Sequence, residues 1–512
     1  MRSDQTNSLT GADLLLALDG SGPMRDQLAR AVRAAVREGR LAAGAALPPS
    51  RALAESLGVS RWVVTEAYGE LVAEGVLDAR TGSATRVAQG AWPVQGVGGT
   101  PPVLPATARS QVASSLSAAS STGVPADGRP GTTVVPPATS PPPPSGRLRY
   151  DLGPGVADLR HLPRQAWARA AHDAVMAASP SDLLGAHPLG EPGLRAALAA
   201  RLTVSRAVVA APDDVVVTHG SSDGVARVAR ALVAAGHRAL LVEDPGWPVL
   251  RDVARRAGLE PVPVPVDSDG VDTDALVALA ERTGARAALV TPAHQFPSGG
   301  VLAPARREAL VRWARDVDGV VLEDDYDAEF RYDRRPVAAL QGLAPDRVVL
   351  VGSLSKTLAP AFGTGWLVVA ARRWAGLDPS VPPPPVLHQL TFAALVADGS
   401  YDRHLRAART RYRRRRTALL AALAAALPEL RVSGVAAGLH AVLALPDGAD
   451  EQRVVRLAAQ RQVHVVAAGR YHVVPDGHPP ALVLGYGNLV DAVLPEAVDR
   501  LADAVRAEVH TR

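Results

Sequence analysis

The pattern of hydrophobic residues divides this chain of 512 residues into two differently built parts. Near the N-terminus, Leu28, Val32 and Val36 lie four residues apart, which predicts an amphipathic helix over residues 24–37. From about residue 150 onward, short apolar runs alternate with stretches of helical periodicity, which is typical of βαβ units. We therefore expect a mainly α-helical N-terminal domain and an α/β C-terminal domain with a mostly parallel sheet.

The N-terminal domain continues with two more helices and a hairpin. The segment PPSRALAESLGVS predicts a short helix with Ser50 as its N-cap, and the next helix should begin after the cap Ser60 and run to about Glu74. VLDARTGSATRV then predicts two short strands around a turn at Thr81 and Gly82. Helix, helix, tight turn, helix and hairpin is the arrangement of a winged helix-turn-helix.

Basic side chains lie where such a fold contacts DNA. Arg51 and Arg61 each come one residue after a predicted helix start, where a guanidinium group can reach phosphate or guanine. The predicted DNA-binding residues are Arg51, Ser60, Arg61, Arg80 and Gly82. Bulk charge does not decide the matter, since residues 1–90 carry ten arginines and ten acidic residues. The alternative is a small helical interaction domain with solvated arginines.

The segment between the two domains differs from the rest of the chain. Residues 91–146 contain twelve prolines, only three charged residues and no periodic apolar positions. Such a composition predicts a disordered, partly polyproline linker. The expected organisation is a domain over 1–90, a linker over 91–146 and a second domain over 147–512.

Five apolar runs of the C-terminal domain are each followed at once by polar or glycine-rich sequence. The runs and their continuations are Val215–Val217 before THGSSDG, Ala239–Val242 before EDPGW, Ala287–Val290 before TPAHQFPSGG, Val320–Leu322 before EDDYD, and Val348–Val351 before GSLSK. Ligands on parallel sheets bind beyond the carboxyl ends of the strands. The sequence therefore predicts one binding crevice built from these five ends.

The groups in that crevice match one cofactor, pyridoxal 5'-phosphate. Lys356 can form an imine with an aldehyde, Asp324 can hold a pyridine nitrogen protonated, and Tyr326 can bond the 3-oxygen of the ring. Ser221, Ser222 and Ser353 can bind a phosphate near a helix N-terminus, and Trp247 can stack on a flat ring. Each residue alone has an ordinary explanation as an acidic loop, a helix cap or core. His294 is interpreted as a satisfied polar residue, since no second histidine has ligand spacing, and no metal is expected.

The amino-acid composition supports a chemical role for Lys356. Of 55 basic residues, Lys356 is the only lysine. Arginine keeps the charge but forms no Schiff base, so a single retained lysine points to chemistry, with chance as the alternative. The absence of cysteine excludes disulfides, thiolate metal sites and cysteine nucleophiles. No run approaches a membrane span and no signal peptide is evident, so the protein is expected to be cytoplasmic.

Both domains resemble known families. The segment LPPSRALAESLGVSRWVVTEAYGELVAEGVLDARTGSATRV resembles the DNA-binding domain of GntR-family regulators, with Ala84 as a departure in the wing. The C-terminal domain resembles fold-type I aminotransferases through EDPGWP, TPAHQFPSG, EDDYDAEFRY, SLSKTLAP and YDRHLRAARTRYRRRR. Together they resemble the MocR regulators. This implies a smaller α+β subdomain, a homodimer, and contacts of the cofactor with Lys356, Asp324 and Tyr326.

Three departures from the family pattern bear on function. Gly363 stands where the family usually has an arginine that grips the cofactor phosphate, and the tyrosine expected shortly before Gly190 is missing. Both changes imply weaker phosphate binding. Val483 stands where enzymes of this fold place an arginine for the substrate carboxylate, which disfavours amino-acid transamination.

The expected function is transcriptional regulation by a DNA-binding protein that senses pyridoxal phosphate, or an amine reacting with it. One alternative is an active aminotransferase that carries a DNA-binding domain. Another is a regulator in which the cofactor domain serves only for dimerisation. Amine-dependent turnover with a keto acid would distinguish the enzyme from the regulator, and lack of cofactor binding would favour the scaffold.

Overall fold

The fold is described from a computed structural model of the chain. It describes residues 22–37, 41, 43–74, 76–78, 85–88, 148–185, 187–332, 337–370, 377–378, 380–473 and 477–510. Within these ranges, no helix combines the length and the apolar character needed to cross a bilayer. The predicted linker over 91–146, Arg80 and the turn at Thr81 and Gly82 lie outside the described residues.

The N-terminal part has the predicted order of elements. These are α1 (Met24–Arg37), α2 (Ser50–Leu57), α3 (Arg61–Ala73), β1 (Leu77–Asp78) and β2 (Arg86–Val87), the two strands pairing antiparallel. The predicted stripe of Leu28, Val32 and Val36 is buried in a core shared by all three helices. The fold of a winged helix-turn-helix is thereby confirmed.

The caps of the two helices after α1 differ in how well the sequence predicted them. Ser60 caps α3 as expected, its side chain accepting a hydrogen bond from the Val63 amide. The prediction that Ser50 caps α2 was wrong. Pro49 is the cap and makes no side-chain bond, and Ser50 is the first helical residue. Proline holds an extended conformation that allows the helix to begin directly after it.

A buried ion pair joins α1 to α3. The Arg33 Nε atom donates to the Glu74 carboxylate at 2.7 Å, and the same guanidinium also bonds Glu70. Burial is the largest influence on Glu70 and raises the pKa of its carboxyl to about 7. Glu70 of α3 and Glu74, the residue at its C-cap, therefore face the core and leave the outer side of the helix without their charge.

The C-terminal part alternates helices and strands. Its helices are α4 (Arg164–Ala177), α5 (Pro180–Leu184), α6 (Pro192–Arg206), α7 (Ser221–Ala234), α8 (Pro248–Arg256), α9 (Thr273–Thr283), α10 (Pro304–Asp316), α11 (Val386–Ala397), α12 (Ser400–Ala426), α13 (Glu451–Gln460) and α14 (Leu494–Val509). Its strands are β3 (Tyr150–Asp151), β4 (Val215–Thr218), β5 (Ala239–Asp244), β6 (Glu260–Asp267), β7 (Gly270–Val271), β8 (Ala287–Val290), β9 (Val320–Asp324), β10 (Val348–Ser353), β11 (Gly365–Val368), β12 (Val432–Ser433), β13 (His440–Ala444), β14 (Val463–His464), β15 (Val466–Ala467) and β16 (Ala481–Gly485).

An eight-stranded sheet carries all five predicted apolar runs. Its order is β4-β11-β10-β9-β8-β5-β6-β7. The strands from β10 through β6 in this order are parallel. Since β11 runs antiparallel to both β10 and β4, β4 points the same way as β10. The carboxyl ends of the five runs therefore meet at one edge of the sheet.

A smaller α+β subdomain completes the C-terminal part. Its four-stranded sheet has the order β12-β13-β16-β15 and is antiparallel, and α13 and α14 pack together beside it. The long helix α12 packs on α14, and its buried Arg415 pairs with Asp158 at 2.6 Å. The expected architecture of a large parallel sheet with a smaller subdomain is confirmed.

Candidate functional site

Lys356 lies just beyond the carboxyl end of β10. Its Nζ atom donates a hydrogen bond to the carbonyl oxygen of Gly155 at 2.7 Å and lies 5.8 Å from the ring centroid of Trp247. Burial lowers the pKa of the Lys356 amine, although Asp327 and Asp324 counteract it. A lowered pKa increases the fraction of neutral amine, which is the form that attacks an aldehyde.

Asp324 is the last residue of β9, the strand next to β10. The residue is buried, and burial together with the neighbouring Asp325 raises the pKa of its carboxyl to about 7. Its Oδ1 atom is buried without a hydrogen-bond partner. A carboxylate held in this way is suited to pair with a protonated ring nitrogen.

Tyr326 is held by two residues that the sequence did not identify as part of a site. Its hydroxyl lies 3.0 Å from Nδ1 of His294, and the same nitrogen lies 2.9 Å from the carboxylate of Asp327. Burial is the main reason that the pKa of Tyr326 lies well above its usual value, and the nearby carboxylates add to it. The phenol therefore keeps its proton and can donate it to an oxygen.

A second histidine lies against this group. The ring centroid of His440 is 5.0 Å from that of His294. One side-chain atom each of His294, Asp327 and His440 that could ligate a metal ion lies within 4.8 Å of the other two. The sequence spacing of histidines gave no sign of this proximity, because the fold joins residues 146 positions apart. Nδ1 of His294 bonds Asp327 and Tyr326, but its Nε2 is buried without a hydrogen-bond partner, so the expectation of a satisfied polar residue holds for only one of the two ring nitrogens.

The predicted phosphate-binding residues meet where α7 begins. Ser221 is the first residue of α7, Ser222 is exposed beside it, and Gly220 precedes them with φ +115° and no side-chain cap. Ser353 ends β10 and pairs with Gly365 of β11. A Cβ atom on Gly365 would lie 2.7 Å from the Cα of Gly220, so glycine is required where the start of α7 meets this edge.

Trp247 lies in an aromatic cluster near Lys356. Its ring meets Phe296 edge to face at 5.3 Å and stacks on Tyr471 at 6.1 Å. Val483 is fully buried and belongs to the same cluster. The position where aminotransferases of this fold place an arginine is thus part of an apolar core here.

Glu243, near the end of β5, is a second buried carboxylate at this edge of the sheet. Burial raises the pKa of its carboxyl to about 7, and Thr291 and Gln295 donate hydrogen bonds to it. Its place in EDPGWP, directly after an apolar run, was the available signal. Unlike Asp324, its carboxylate has protein partners.

These side chains fit pyridoxal phosphate. The unpartnered Asp324 Oδ1 suits the ring nitrogen, the uncapped start of α7 suits a phosphate, and Lys356 suits the aldehyde. The fit rests on the chemical groups that these residues carry and on their position at one edge of the sheet.

The described DNA-binding candidates lie around the turn between α2 and α3. The side chain of Arg51 is 83% exposed, and Arg61 is exposed with its Nε atom 3.4 Å from the Ser50 hydroxyl. Arg51, Glu55, Gly58, Val59 and Arg61 line a surface groove. Arg51 also forms an exposed ion pair with Glu55 at 3.4 Å, and both guanidinium groups lie at the surface, where a ligand can reach them.

Replacing either arginine should weaken DNA binding. Arg51→Ala or Arg61→Ala should cost about 1–3 kcal/mol in affinity for a selected duplex if the guanidinium reads a guanine. Arg255→Ala, on the surface of the C-terminal part, is the control. Filter binding or fluorescence anisotropy measures the change. If both variants bind like the wild type and binding is insensitive to salt, the winged helix is not the contact surface.

Comparison with known proteins matches the N-terminal and C-terminal parts of the chain to two different families. A model of the family "Bacterial regulatory proteins, gntR family" matches residues 24–87, and one of "Aminotransferase class I and II" matches residues 151–501. The HTH-type pyridoxine biosynthesis transcriptional regulator PdxR of Corynebacterium glutamicum is 32% identical over 96% of this chain and 99% of its own length. The probable rhizopine catabolism regulatory protein MocR of Rhizobium meliloti is 31% identical over 96% of each chain.

Solved structures match the C-terminal part in fold. An archaeal alanine:glyoxylate aminotransferase has a TM-score of 0.65 at 24% identity, covering 70% of this chain and 91% of its own. LysN, an α-aminoadipate aminotransferase from Thermus thermophilus, has a TM-score of 0.63 at 24% identity, covering 71% and 93%. Fold and site thus define a helix-turn-helix transcriptional regulator with an aminotransferase-like domain. The chain belongs to the MocR-type regulators of the GntR family.

Proposed function

We propose that the aminotransferase-like domain binds pyridoxal 5'-phosphate through Lys356 and that the bound cofactor changes the DNA-binding state of the protein. The observation that carries the proposal is the buried, unpartnered Oδ1 of Asp324 on the strand beside the one that leads to Lys356. Leaving a buried carboxylate oxygen without a partner costs about 1–3 kcal/mol or more. A protonated ring nitrogen would remove that cost.

Each residue has a distinct role in this proposal. The neutral Lys356 amine would hold the cofactor through its aldehyde carbon. Asp324 would accept a hydrogen bond from the ring nitrogen, and Tyr326 would donate one to the 3-oxygen. Ser221, Ser222 and Ser353 contact the phosphate, and Trp247 contacts the ring face. When bound, the cofactor supplies an electrophilic carbon that can exchange Lys356 for another primary amine.

The signal is either the cofactor itself or an amine that reacts with it. The relative named for pyridoxine biosynthesis favours cofactor supply as the signal. The absence of a carboxylate-binding arginine at Val483, which is buried in an apolar cluster, disfavours amino acids. An aminotransferase activity remains the alternative, because Lys356 and Asp324 are retained. Conversion of a keto acid at the expense of an added amine would support it.

We also propose a cytoplasmic homodimer with domains over 1–90 and 147–512 and a linker over 91–146. Large apolar side chains near α4 and α5 support dimerisation, because Leu184 is 89% exposed and Met176 is 73% exposed. Exposed apolar groups of this size are typical of an interface. Sedimentation of the wild-type protein tests whether it is a dimer, and Leu184→Glu, which places a charge among these apolar side chains, should shift it toward the monomer. A monomeric wild type contradicts it.

A visible absorption spectrum tests the cofactor assignment. Purified protein titrated with pyridoxal phosphate should develop an absorption band of the protein-bound cofactor that saturates at one equivalent per chain. Absence of such a band, with a folded protein, would contradict cofactor binding and favour a scaffold role.

The structure sharpens the expectation for Gly363. Its φ is +53°, and a Cβ atom there would meet nothing within 4 Å. Gly363→Arg has room for a side chain but carries backbone strain of about 1–2 kcal/mol. Gly363→Ala carries a similar strain without the charge and is the matched control.

Relative to Gly363→Ala, the arginine variant should bind pyridoxal phosphate more tightly. A charge-assisted hydrogen bond contributes about 1.5–3 kcal/mol, which corresponds to roughly 10–150-fold. Cofactor titrations of the two variants measure the difference. Equal affinities in two well-folded variants would mean that the phosphate site is complete without an arginine at this position.

A further inference from the structure

Trp62 is exposed on α3, the second helix of the helix-turn-helix, which is called the recognition helix because it enters the DNA major groove. Of the tryptophans that the structure describes, Trp62 alone is exposed, at 57%, whereas Trp313 and Trp366 are buried. It is the second residue of α3, directly after the exposed Arg61. A large aromatic ring in water at this place has no role in the core of the domain.

The direction of Trp62 follows from helix geometry. The inner side of α3 is formed by Val64, Ala67 and Leu71, which are fully buried. At about 100° per residue, Leu71 lies roughly 180° around the helix from Trp62. The indole therefore projects directly away from the core.

A glycine on the same face is the second, independent observation. Gly69 is exposed within α3, and a Cβ atom there would meet nothing within 4 Å. Seven residues separate it from Trp62, so the two lie within about 20° on the helix surface and about 10 Å apart along the axis. Glycine weakens a helix interior relative to alanine, and nothing in the fold requires it here. A close approach from outside the domain would require it.

We infer that the outer face of α3, defined by Trp62 and Gly69, lies against duplex DNA, with the indole of Trp62 packed on thymine methyl groups. Arg61 beside it carries the charge that DNA attracts. Glu70 and Glu74 point inward and pair with Arg33, and the half-buried Glu66, one turn after Trp62, is the acidic residue of α3 nearest this face. The first residues of a recognition helix lie nearest the base edges in the major groove. The thymine methyl is the apolar feature that this groove offers, and Gly69 leaves room for the sugar-phosphate backbone. The inference rests on DNA binding by the winged helix.

The first test removes the proposed contact once by changing the Trp62 side chain and once by removing the thymine methyl group. The probe is a duplex selected from a random pool by the full-length wild-type protein, with single thymines changed to uracil. Trp62→Ala should bind the unmodified duplex at least about tenfold more weakly. Wild-type protein should lose about fourfold at a contacted uracil, and Trp62→Ala should lose nothing further there. A wild type that tolerates every uracil overturns the inference.

The second test measures the thermal stability and the DNA affinity of Gly69→Ala, which should change in opposite directions. Gly69→Ala should raise the midpoint of thermal unfolding of the full chain, because alanine favours the helix. It should also weaken binding to the same duplex by about tenfold, because the methyl group keeps the DNA away. Val204→Ala, on an exposed side chain of α6, should also favour its helix but should leave DNA affinity unchanged. A more stable Gly69→Ala with unchanged affinity overturns the role of Gly69.

Arg61→Ala separates this inference from DNA binding itself. If Arg61→Ala weakens binding while Trp62→Ala and Gly69→Ala do not, only the role of the outer face is overturned. If none of the three variants affects binding, the winged helix is not the contact surface and both statements fail.

Discussion

Replacing Lys356 with arginine is expected to abolish covalent capture of pyridoxal phosphate at position 356. Lys356 is the only lysine of the chain, and its amine is placed beside Asp324 and Trp247 with a lowered pKa. Wild-type protein incubated with the cofactor and reduced with borohydride should carry one pyridoxyl-phosphate adduct on the peptide that contains Lys356. Lys356→Arg keeps the charge but has no side-chain amine that can form a Schiff base, so this adduct should be absent.

Two further outcomes are informative for that experiment. Lys356→Ala should behave like Lys356→Arg, which excludes an effect of arginine's size. A wild-type adduct confined to the N-terminal amine, with none on Lys356, would contradict the cofactor assignment. Peptide mass spectrometry distinguishes the two positions.

Asp324→Asn is expected to change cofactor affinity and stability in opposite directions. In the cofactor-free protein, burial raises the pKa of Asp324 from 3.8 to about 7. The folded state therefore binds more protons than the unfolded state between these values, and stability falls as the pH rises through this interval. Each unit of the shift corresponds to about 1.4 kcal/mol. Asparagine has no such charge, so the cofactor-free variant should be more stable than wild type at pH 8 and not at pH 4.

The same variant should bind pyridoxal phosphate about 10–150-fold more weakly, because a charge-assisted hydrogen bond of about 1.5–3 kcal/mol is lost. Glu243→Gln is the matched control, since the pKa of Glu243 is also raised to about 7 but its carboxylate bonds Thr291 and Gln295. Its cofactor affinity should change little. Thermal unfolding at the two pH values and cofactor titrations measure both effects. Wild-type cofactor affinity in Asp324→Asn would leave Asp324 with a structural role only.

The sequence predicted the parts of the fold that depend on local pattern. The five apolar runs appear as strands because each is short, apolar and followed by a polar end, and parallel pairing brings those ends to one edge. Ser60 was identifiable as a cap because its position before a helical pattern is a local signal. Ser50 was misplaced by one residue, because a preceding proline can itself occupy the cap position.

Contacts between distant residues were beyond the reach of such patterns. His294, Asp327 and His440 come together only in the folded chain, and no spacing in the sequence indicates that His294 supports Tyr326. The bond from Lys356 to the Gly155 carbonyl joins residues 201 positions apart. The inward direction of Glu70 and Glu74 depends on Arg33 of another helix. Such long-range contacts position the side chains on which the proposed chemistry depends.

A single titration measures whether cofactor bound at Lys356 controls DNA binding. Pyridoxal phosphate is added to wild-type protein and a selected duplex, and the visible band of the bound cofactor and the DNA affinity are followed in the same sample. We expect both signals to change with the same midpoint, and neither to change in Lys356→Arg. A band that saturates while DNA affinity stays constant, or an equal change of affinity in Lys356→Arg, would contradict this account.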